Sequence, residues 1–440
     1  MLEGCKRYIN RVIAAEISAF SRYYDALIQW RPRPEDSFTL FDSIACPSKR
    51  KVSERTEFPD LSSEKESRTL ILLNGNFNFD TDIQQTLLEF KPRLSRTSRI
   101  VVVAYNPYFK PIYKLANRLG IRRGEEPKTF ITRTDLQSIA RLSGFELVRM
   151  LPVVYSPARF LGIGSLINKV LPSVPFFRWF CLAAVMVLRP VIPENTRPSL
   201  SIIVPARNER GNIEPLLSAL QELKDIPIEL IFVEGHSSDG TWEEIQRLLP
   251  AYSSDFPIRA FRQAGTGKAD AVRTGCSEAG SDLMTILDAD MTMPVEMLER
   301  FYRAYASGLA DFINGNRRVY PMEREAMRHL NRIGNLFFTK ALCSVLGVRL
   351  GDTLCGTKLL SRHDYRRFRR WQADFGDFDP FGDFELLFPA AVLALDIVDV
   401  PIQYRARTYG KTQIKRFSNG LTLLRMTLIG LWRVKFGKLP

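Results

Sequence analysis

Asp288 and Asp290 are separated by a single alanine and preceded by Leu283-Met-Thr-Ile-Leu287. That mostly apolar run predicts a buried strand of a parallel sheet. The carboxylates then stand at the strand's C-terminal end, where open α/β sheets bind ligands. Two carboxylates so close repel each other unless a cation lies between them. A hard divalent ion, Mg2+ or Mn2+, held by one or two carboxylates and by substrate phosphates, would satisfy the pair. A strand ending in an acidic, solvated turn accounts for the same residues without any chemistry.

The elements that must position this pair begin after a linker punctuated by Pro190, Pro193 and Pro198. Leu200 to Val204 predicts a buried strand running into Pro205-Ala206-Arg207-Asn208-Glu209, and Ile213, Leu216, Leu217, Leu220 and Leu223 mark a helix after it. Ile228 to Val233 predicts the next strand, followed by the polar turn Glu234-Gly-His-Ser-Ser238-Asp239-Gly240-Thr241 and another helix. Strand–helix alternation at this spacing predicts an α/β, doubly wound parallel sheet.

Taken together, Ile202-Ile-Val-Pro205-Ala-Arg-Asn208-Glu209, Glu234 to Thr241, and Asp288-Ala-Asp290 resemble family 2 glycosyltransferases of the GT-A fold (nucleotide-diphospho-sugar transferases). The similarity is greatest to their dolichol- or polyprenyl-phosphate sugar synthase branch. Asn314-Gly-Asn-Arg317, Asp352 to Lys358, Phe381-Gly-Asp383-Phe-Glu385 and Tyr409-Gly-Lys411-Thr412 extend the resemblance over residues 199–420. It implies a metal-dependent, inverting transfer of a hexose from a UDP- or GDP-sugar. It also implies roles. Asp288 would face ribose or metal and Asp290 would ligate the metal. Pro205, Ala206, Asn208, Glu209, Glu234, Ser238 and Ala289 would hold the nucleotide, with Lys268, Asp270 and Arg273 lying along it. Arg317 would meet an acceptor phosphate, near Arg328 or Arg332, while Lys411 and Lys415 would lie in a loop closing over the diphosphate. Lys358, Asp352 and Asp383 complete the expected catalytic set.

Four positions depart from the family pattern. Glu234 and Gly235 replace two aspartates, Thr292 stands where some relatives have glutamine, and Gly356 stands where some have an aspartate base. A phosphate oxygen is largely ionised at neutral pH and needs no base, whereas a sugar hydroxyl does. The missing base therefore favours a polyprenyl- or dolichyl-phosphate acceptor, with Asp352 and Asp383 as candidate bases should the acceptor be a saccharide hydroxyl. Gly265-Thr-Gly-Lys268-Ala-Asp270 imitates a phosphate loop but fails its fingerprint at Arg262 and Ala269.

Upstream, aromatic and aliphatic residues at helical spacing predict one helix over residues 5–30. The Pro-, Ser- and charge-rich stretch 31–68 reads as a linker. Strands are expected at Thr69–Leu73, Ile100–Ala104, Phe145–Val148 and Cys181–Leu188, with one helix burying Ile83, Leu87, Leu88 and Phe90. A second helix is opened by the capping-box spacing Thr134…Gln137 and closed by Gly144. Phe130-Ile-Thr132-Arg-Thr134-Asp-Leu136 with Ser143-Gly144-Phe145 resembles the late helix and strand of a class I methyltransferase dependent on S-adenosylmethionine, and residues 69–192 resemble its C-terminal half. An accessory α/β domain of no particular ancestry accounts for the same elements. No strand with a glycine-rich turn is expected before residue 69, so the resemblance implies a truncated, inactive, incomplete Rossmann-like domain and no S-adenosylmethionine. The resulting division is 1–68, 69–192 and 196–440.

The 440 residues carry a net charge of +14, which favours an anionic partner. Six scattered cysteines without a C-x-x-C pair argue against a zinc site and a disulfide scaffold and suit a reducing cytosol. No run spans a bilayer; Trp179 to Leu188 is about half the required length. From Pro401 onward there are nine Lys or Arg and no acid, and Phe417–Phe436 is expected to form a basic helix in a membrane interface. That predicts a cytoplasmic protein, peripheral at the inner face of a membrane. The other readings are a family 2 transferase acting on saccharides of the cell envelope and an inactive scaffold. No nucleic-acid-binding motif is present.

Overall fold

The computed structural model describes residues 2–33, 39–64, 66–120, 125–194, 197–321, 329–376, 379, 381–410 and 416–436. Contacts divide the chain into two units. The first comprises Met1–Ile192 with Val392–Ala394 and Trp432–Pro440, and the second Pro193–Ala391 with Leu395–Leu431.

In the first unit, strands β1 (Ala26–Trp30), β2 (Ser48–Val52), β3 (Thr69–Asn74), β4 (Arg99–Tyr105), β5 (Phe145–Val153) and β6 (Ala183–Pro190) form one sheet. Its order is β2-β1-β3-β4-β6-β5. The first four strands are parallel, and β6 runs antiparallel to both of its neighbours. Two expectations are corrected here. The N-terminal helix stops at Ser21, and Ala26–Trp30 is a strand paired with β3. Leu27 and Ile28 are buried there by sheet neighbours that a helical reading of the same apolar residues cannot see. Within the supposed linker, Ser48-Lys-Arg-Lys-Val52 adds the edge strand β2. An edge tolerates lysines that a central strand would not.

The capping box sits two residues earlier than its spacing suggested. The Thr132 side chain accepts from Asp135 N and the Asp135 carboxylate from Thr132 N, opening a helix over Arg133–Leu142. Gly144 follows it at φ +71°, as a terminating glycine should. Leu88 does not join its helix's buried face, whereas Ile83, Leu87 and Phe90 do.

The second unit holds β7 (Leu200–Ala206), β8 (Ile228–Glu234), β9 (Ile258–Arg262), β10 (Leu283–Ile286), β11 (Phe312–Asn316), β12 (Lys358–Ser361) and β13 (Ile397–Pro401). The order is β13-β11-β12-β10-β7-β8-β9. Strands β10, β7, β8 and β9 run parallel, as the sequence predicts. The sheet is mixed rather than wholly parallel, because β12 is inserted antiparallel between β10 and β11. That reversal brings the first residue of β12, Lys358, opposite Asn314 near the end of β11.

The core lies between this sheet and its helices. Ile213, Leu216, Leu217 and Leu220 of the helix Arg210–Leu220 pack against Leu200, Ile202, Val204, Leu230 and Phe232. Each such side chain contributes about 1.5–3 kcal/mol on burial. On the opposite face the helix Lys268–Glu278 approaches β7 and β8 at Gly275, where any Cβ would strike Ile203 and Val233. This close approach fixes Lys268, the helix's first residue, at the sheet's carboxyl edge.

No helix among the described residues is long and apolar enough to cross a membrane. The last helix runs Arg416–Gly430 and continues as a π turn over Leu431–Phe436. Leu421, Leu424, Leu428 and Trp432 are exposed on it. All six cysteines are free thiols.

Candidate functional site

Three turns meet at the carboxyl edge of β7, β8 and β10, and each holds one non-glycine residue in the left-handed region: Asn208 (φ 55°), His236 (φ 57°) and Met291 (φ 54°). Such strain persists only where the surroundings over-determine it, and it collects at functional sites. The first two turns are tied together. Asn208 N donates to Ser237 Oγ at 2.9 Å, and Asn208 Oδ1 accepts from Ser238 N at 2.9 Å. Ala206 O, next to Pro205 at the end of β7, accepts from Gly235 N at 2.9 Å. Glu234 is buried and turns its Oε1 onto Ser237 N at 2.5 Å. Asp270 holds the glycine loop by accepting from Gly265 N at 2.8 Å.

The acidic pair carries cations. Lys268 Nζ donates to Asp288 Oδ1 at 2.5 Å, and Arg407 Nη2 to Asp290 Oδ2 at 2.6 Å. Burial pushes the Asp288 carboxyl up, but Lys268 together with Lys358 and Arg317 outweighs it and the net shift is downward. Burial likewise opposes the charge on Lys268, yet Asp288 and Asp383 raise it above the usual lysine range. Asp290 Oδ1 accepts from Thr292 N at 3.1 Å and Thr292 Oγ1 at 2.9 Å, so Thr292 orients this carboxylate. Ala289 is buried between the two acids in sequence.

Arg407 also donates to Glu209 Oε1 at 3.0 Å, while Glu209 Oε2 accepts from Asn212 Nδ2 at 2.6 Å. Burial raises the Glu209 carboxyl, and Arg407 only partly offsets that. The loop carrying Arg407 therefore lies on the turn after β7. Tyr409 rests against Gly211, and Gly410 is close to Asn208 O.

Two further ion pairs flank the acidic turn. Arg317 grips the fully buried Asp352 in bidentate fashion, Nε to Oδ2 at 2.7 Å and Nη2 to Oδ1 at 3.0 Å. Asp352 also accepts from Leu354 N and Asn335 Nδ2. Burial would raise Asp352, but Arg317 brings it below the usual carboxylate range. Lys358, also fully buried, donates to Asp383 Oδ1 at 2.8 Å and to Cys355 O. A Cβ on Gly356 would lie 2.6 Å from Lys268 Nζ and 2.9 Å from Asp288 Oδ2, so residue 356 borders the acidic pair.

The structure thus brings together Asp288, Asp290, Lys268 and Gly356, and holds Arg317 with Asp352 and Lys358 with Asp383. Arg328, Lys411 and Lys415 lie outside the described residues, and Arg332 is described only as part of the helix His329–Leu346. Among the described residues, no three His, Cys, Asp or Glu side chains gather as a metal cluster. Sequence reasoning missed Arg407. It belonged to the acid-free C-terminal stretch, but nothing in its immediate neighbours marks it out.

Residues 201–369, from β7 to the helix Arg362–Phe375, match the model of glycosyl transferase family 2. This segment is a family 2 glycosyltransferase domain. Its relatives include a dolichol-phosphate mannosyltransferase of Pyrococcus furiosus, 27% identical over 224 residues, which covers 49% of this chain and 59% of the relative. A dolichyl-phosphate hexose transferase of Haloferax volcanii is 28% identical over 233 residues, covering 52% and 92%. The chain thus spans little more than half the length of the first relative and nearly all of the second. Among solved structures, glucosyl-3-phosphoglycerate synthase of Mycobacterium tuberculosis, in complex with Mn2+, UDP and glucosyl-3-phosphoglycerate, aligns with a TM-score of 0.39. It is 16% identical and covers 54% of this chain and 80% of that one. The glycosyltransferase domain's match starts at β7, so the first unit lies outside it.

Proposed function

We propose that the chain transfers a hexose from a nucleoside-diphospho-sugar to a polyprenyl- or dolichyl-phosphate, with inversion at the anomeric carbon and with a divalent metal. The observation that carries this reading is the Asp288–Asp290 turn, with Lys268 and Arg407 seated on its two carboxylates inside a family 2 domain. Two carboxylates one residue apart form a donor set suited to Mg2+ or Mn2+ shared with substrate phosphates, with the ion displacing the side-chain cations that now occupy them. When bound, such an ion neutralises charge on the departing diphosphate.

The chain's own residues take the remaining parts. The turns at Pro205–Glu209 and Glu234–Ser238 hold the nucleoside, with Asp270 fixing the adjoining glycine loop. Lys268 faces the diphosphate, and Lys358 adds fixed positive charge at the same sheet edge. Arg317 binds the acceptor phosphate, using the guanidinium donors that Asp352 leaves over. A phosphate oxygen attacks the anomeric carbon as the bond to the nucleoside diphosphate breaks, so no proton need be removed.

Asp352 belongs to this scheme as the group that positions Arg317. Held by a bidentate guanidinium and shifted downward, it is a poor base. Asp383 is engaged by Lys358. The names of the relatives from Pyrococcus furiosus and Haloferax volcanii favour the same acceptor. Transfer to polyprenyl phosphate that a plain saccharide does not suppress is the expected result. A saccharide that outcompetes the lipid phosphate would favour the cell-envelope saccharide reading.

We also read the exposed leucines of Arg416–Gly430 as resting in a membrane interface on the cytoplasmic side. The first unit fits a methyltransferase-like relic. Arg31-Pro32-Arg33 follow β1, where a cofactor-binding domain of that kind would need a glycine-rich turn.

A further inference from the structure

The helix Lys110–Arg118 in the first unit is amphipathic, with its apolar stripe turned outward. Tyr108, Ile112, Leu115 and Leu119 recur at helical spacing and all are exposed. A helix packed on its own core would bury such a stripe. Nearby, the helix Ile163–Val170 exposes Ile163 and Leu166, and the 3-10 segment Pro175–Phe180 exposes Phe176, Trp179 and Phe180. These pieces adjoin. The rings of Tyr108 and Trp179 are 5.5 Å apart, and Asn106 Nδ2 donates to Trp179 O at 2.9 Å. Tyr108 and Trp179 thus join the Lys110–Arg118 helix to the aromatic segment, and adjoining exposed apolar side chains mark interaction sites.

Leu161 is the most exposed of these residues, at 105% of its reference surface. It sits in a turn where Phe160 (φ 42°), Leu161 (φ 55°) and Gly162 (φ 98°) are all left-handed. Bulky residues adopt that conformation only at a cost. Here the turn holds two large apolar side chains in water.

The charge around the patch selects its occupant. From Leu147 to Pro193 the chain has no Asp or Glu, and the patch carries Arg159, Lys169 and Arg178. Lys110, Lys114 and Arg118 lie on the neighbouring helix, where Lys114 meets Glu126 at 3.8 Å. Aromatic and leucine side chains bordered by lysine and arginine suit the headgroup–acyl boundary of an anionic bilayer. Cores of protein–protein interfaces, by contrast, are depleted in lysine.

We propose that this face of the first unit docks on an anionic lipid bilayer, with Leu161 and Trp179 entering the acyl boundary. This is a membrane contact separate from the C-terminal helix, and it does not depend on the transfer reaction. The test is flotation of the full chain with phosphatidylcholine vesicles, with and without phosphatidylglycerol. Wild type should float with the anionic vesicles. A Leu161→Ser/Phe176→Ser/Trp179→Ser variant should partition about tenfold less, with an unchanged circular dichroism spectrum. A Leu421→Ser/Leu424→Ser/Leu428→Ser variant should keep the contribution of this face. Brominated lipids should quench Trp179 in wild type and lose that component in Trp179→Phe, an arm that stands even if the triple variant fails to fold. Unchanged flotation of the triple variant together with no quenching of Trp179 would overturn the proposal. So would a dimer in sedimentation that the same substitutions dissolve, since the face would then join two copies of the chain.

Discussion

Arg407 Nη2 lies 2.6 Å from Asp290 Oδ2 while Nη1 lies 3.0 Å from Glu209 Oε1, so one guanidinium clips the acidic turn after β10 to the turn after β7. A cation on Asp290 competes with any divalent ion for that carboxylate. Removing it in Arg407→Ala should strengthen Mn2+ binding in the absence of nucleotide by about tenfold, since a charge-assisted bond is worth about 1.5–3 kcal/mol. Titration followed by electron paramagnetic resonance measures this without turnover. Weaker Mn2+ binding in the variant would mean that Arg407 organises the ion's site instead of competing for it.

Asp352 and Arg317 give a separate test of base against counter-ion. Asp352→Asn leaves a buried guanidinium without its charge partner and should cost about 3–5 kcal/mol of stability. Arg317→Met/Asp352→Leu should recover much of that loss in urea unfolding, yet remain unable to use a phosphate acceptor. A base would leave a mark of its own in the rate: transfer would fall as pH drops through the Asp352 titration, and Asp352→Asn would remove that limb.

Asp379 makes stability depend on pH. Burial, helped by the nearby charge of Asp383, raises its carboxyl from 3.8 to about 6. The folded chain therefore holds this proton more tightly than the unfolded chain. The stabilisation is full below the unfolded value and is lost as pH rises through about 6. Two pH units correspond to about 3 kcal/mol. Relative to Asp379→Asn, wild type should lose stability between about pH 4 and pH 7, as read from urea midpoints. Parallel pH profiles for the two proteins would refute this.

Gly356 borders both members of the Lys268–Asp288 pair. In Gly356→Ala the new methyl must move the flexible end of Lys268, which changes stability by no more than about 1 kcal/mol. Donor affinity should nonetheless fall about tenfold, because the ammonium no longer lies along the diphosphate. Calorimetric binding of the nucleotide sugar, with a melting curve beside it, separates the two effects.

The features legible in the sequence are those written in short, contiguous runs. The strands at β7, β8 and β10 are apolar blocks ending in polar turns, and that grammar puts Asp288, Asp290, Asn208 and Glu234 at one sheet edge, while their roles come only from the family resemblance. What stayed hidden depends on distant partners. The family resemblance names Lys358, but the strand that delivers it was not legible: β12 is reversed between β10 and β11, and a four-residue strand carries no mark of its direction. Arg407 lies 117 positions from Asp290 and is one arginine among many. In the first unit, Ala26–Trp30 continues an apolar pattern that suits a helix equally well, and Ser48–Val52 is a strand only because β1 lies beside it.

Metal-dependent cleavage of a nucleotide sugar at the Asp288–Asp290 turn is the central claim, and donor turnover tests it most directly. The full chain is incubated with UDP-glucose or GDP-mannose and polyprenyl phosphate, with Mg2+ or Mn2+ and then with EDTA, and Asp290→Ala is treated in parallel. Nucleoside diphosphate should be released from one donor, with release lost in EDTA and reduced by at least about a hundredfold in Asp290→Ala. Turnover that survives both EDTA and Asp290→Ala would contradict the claim.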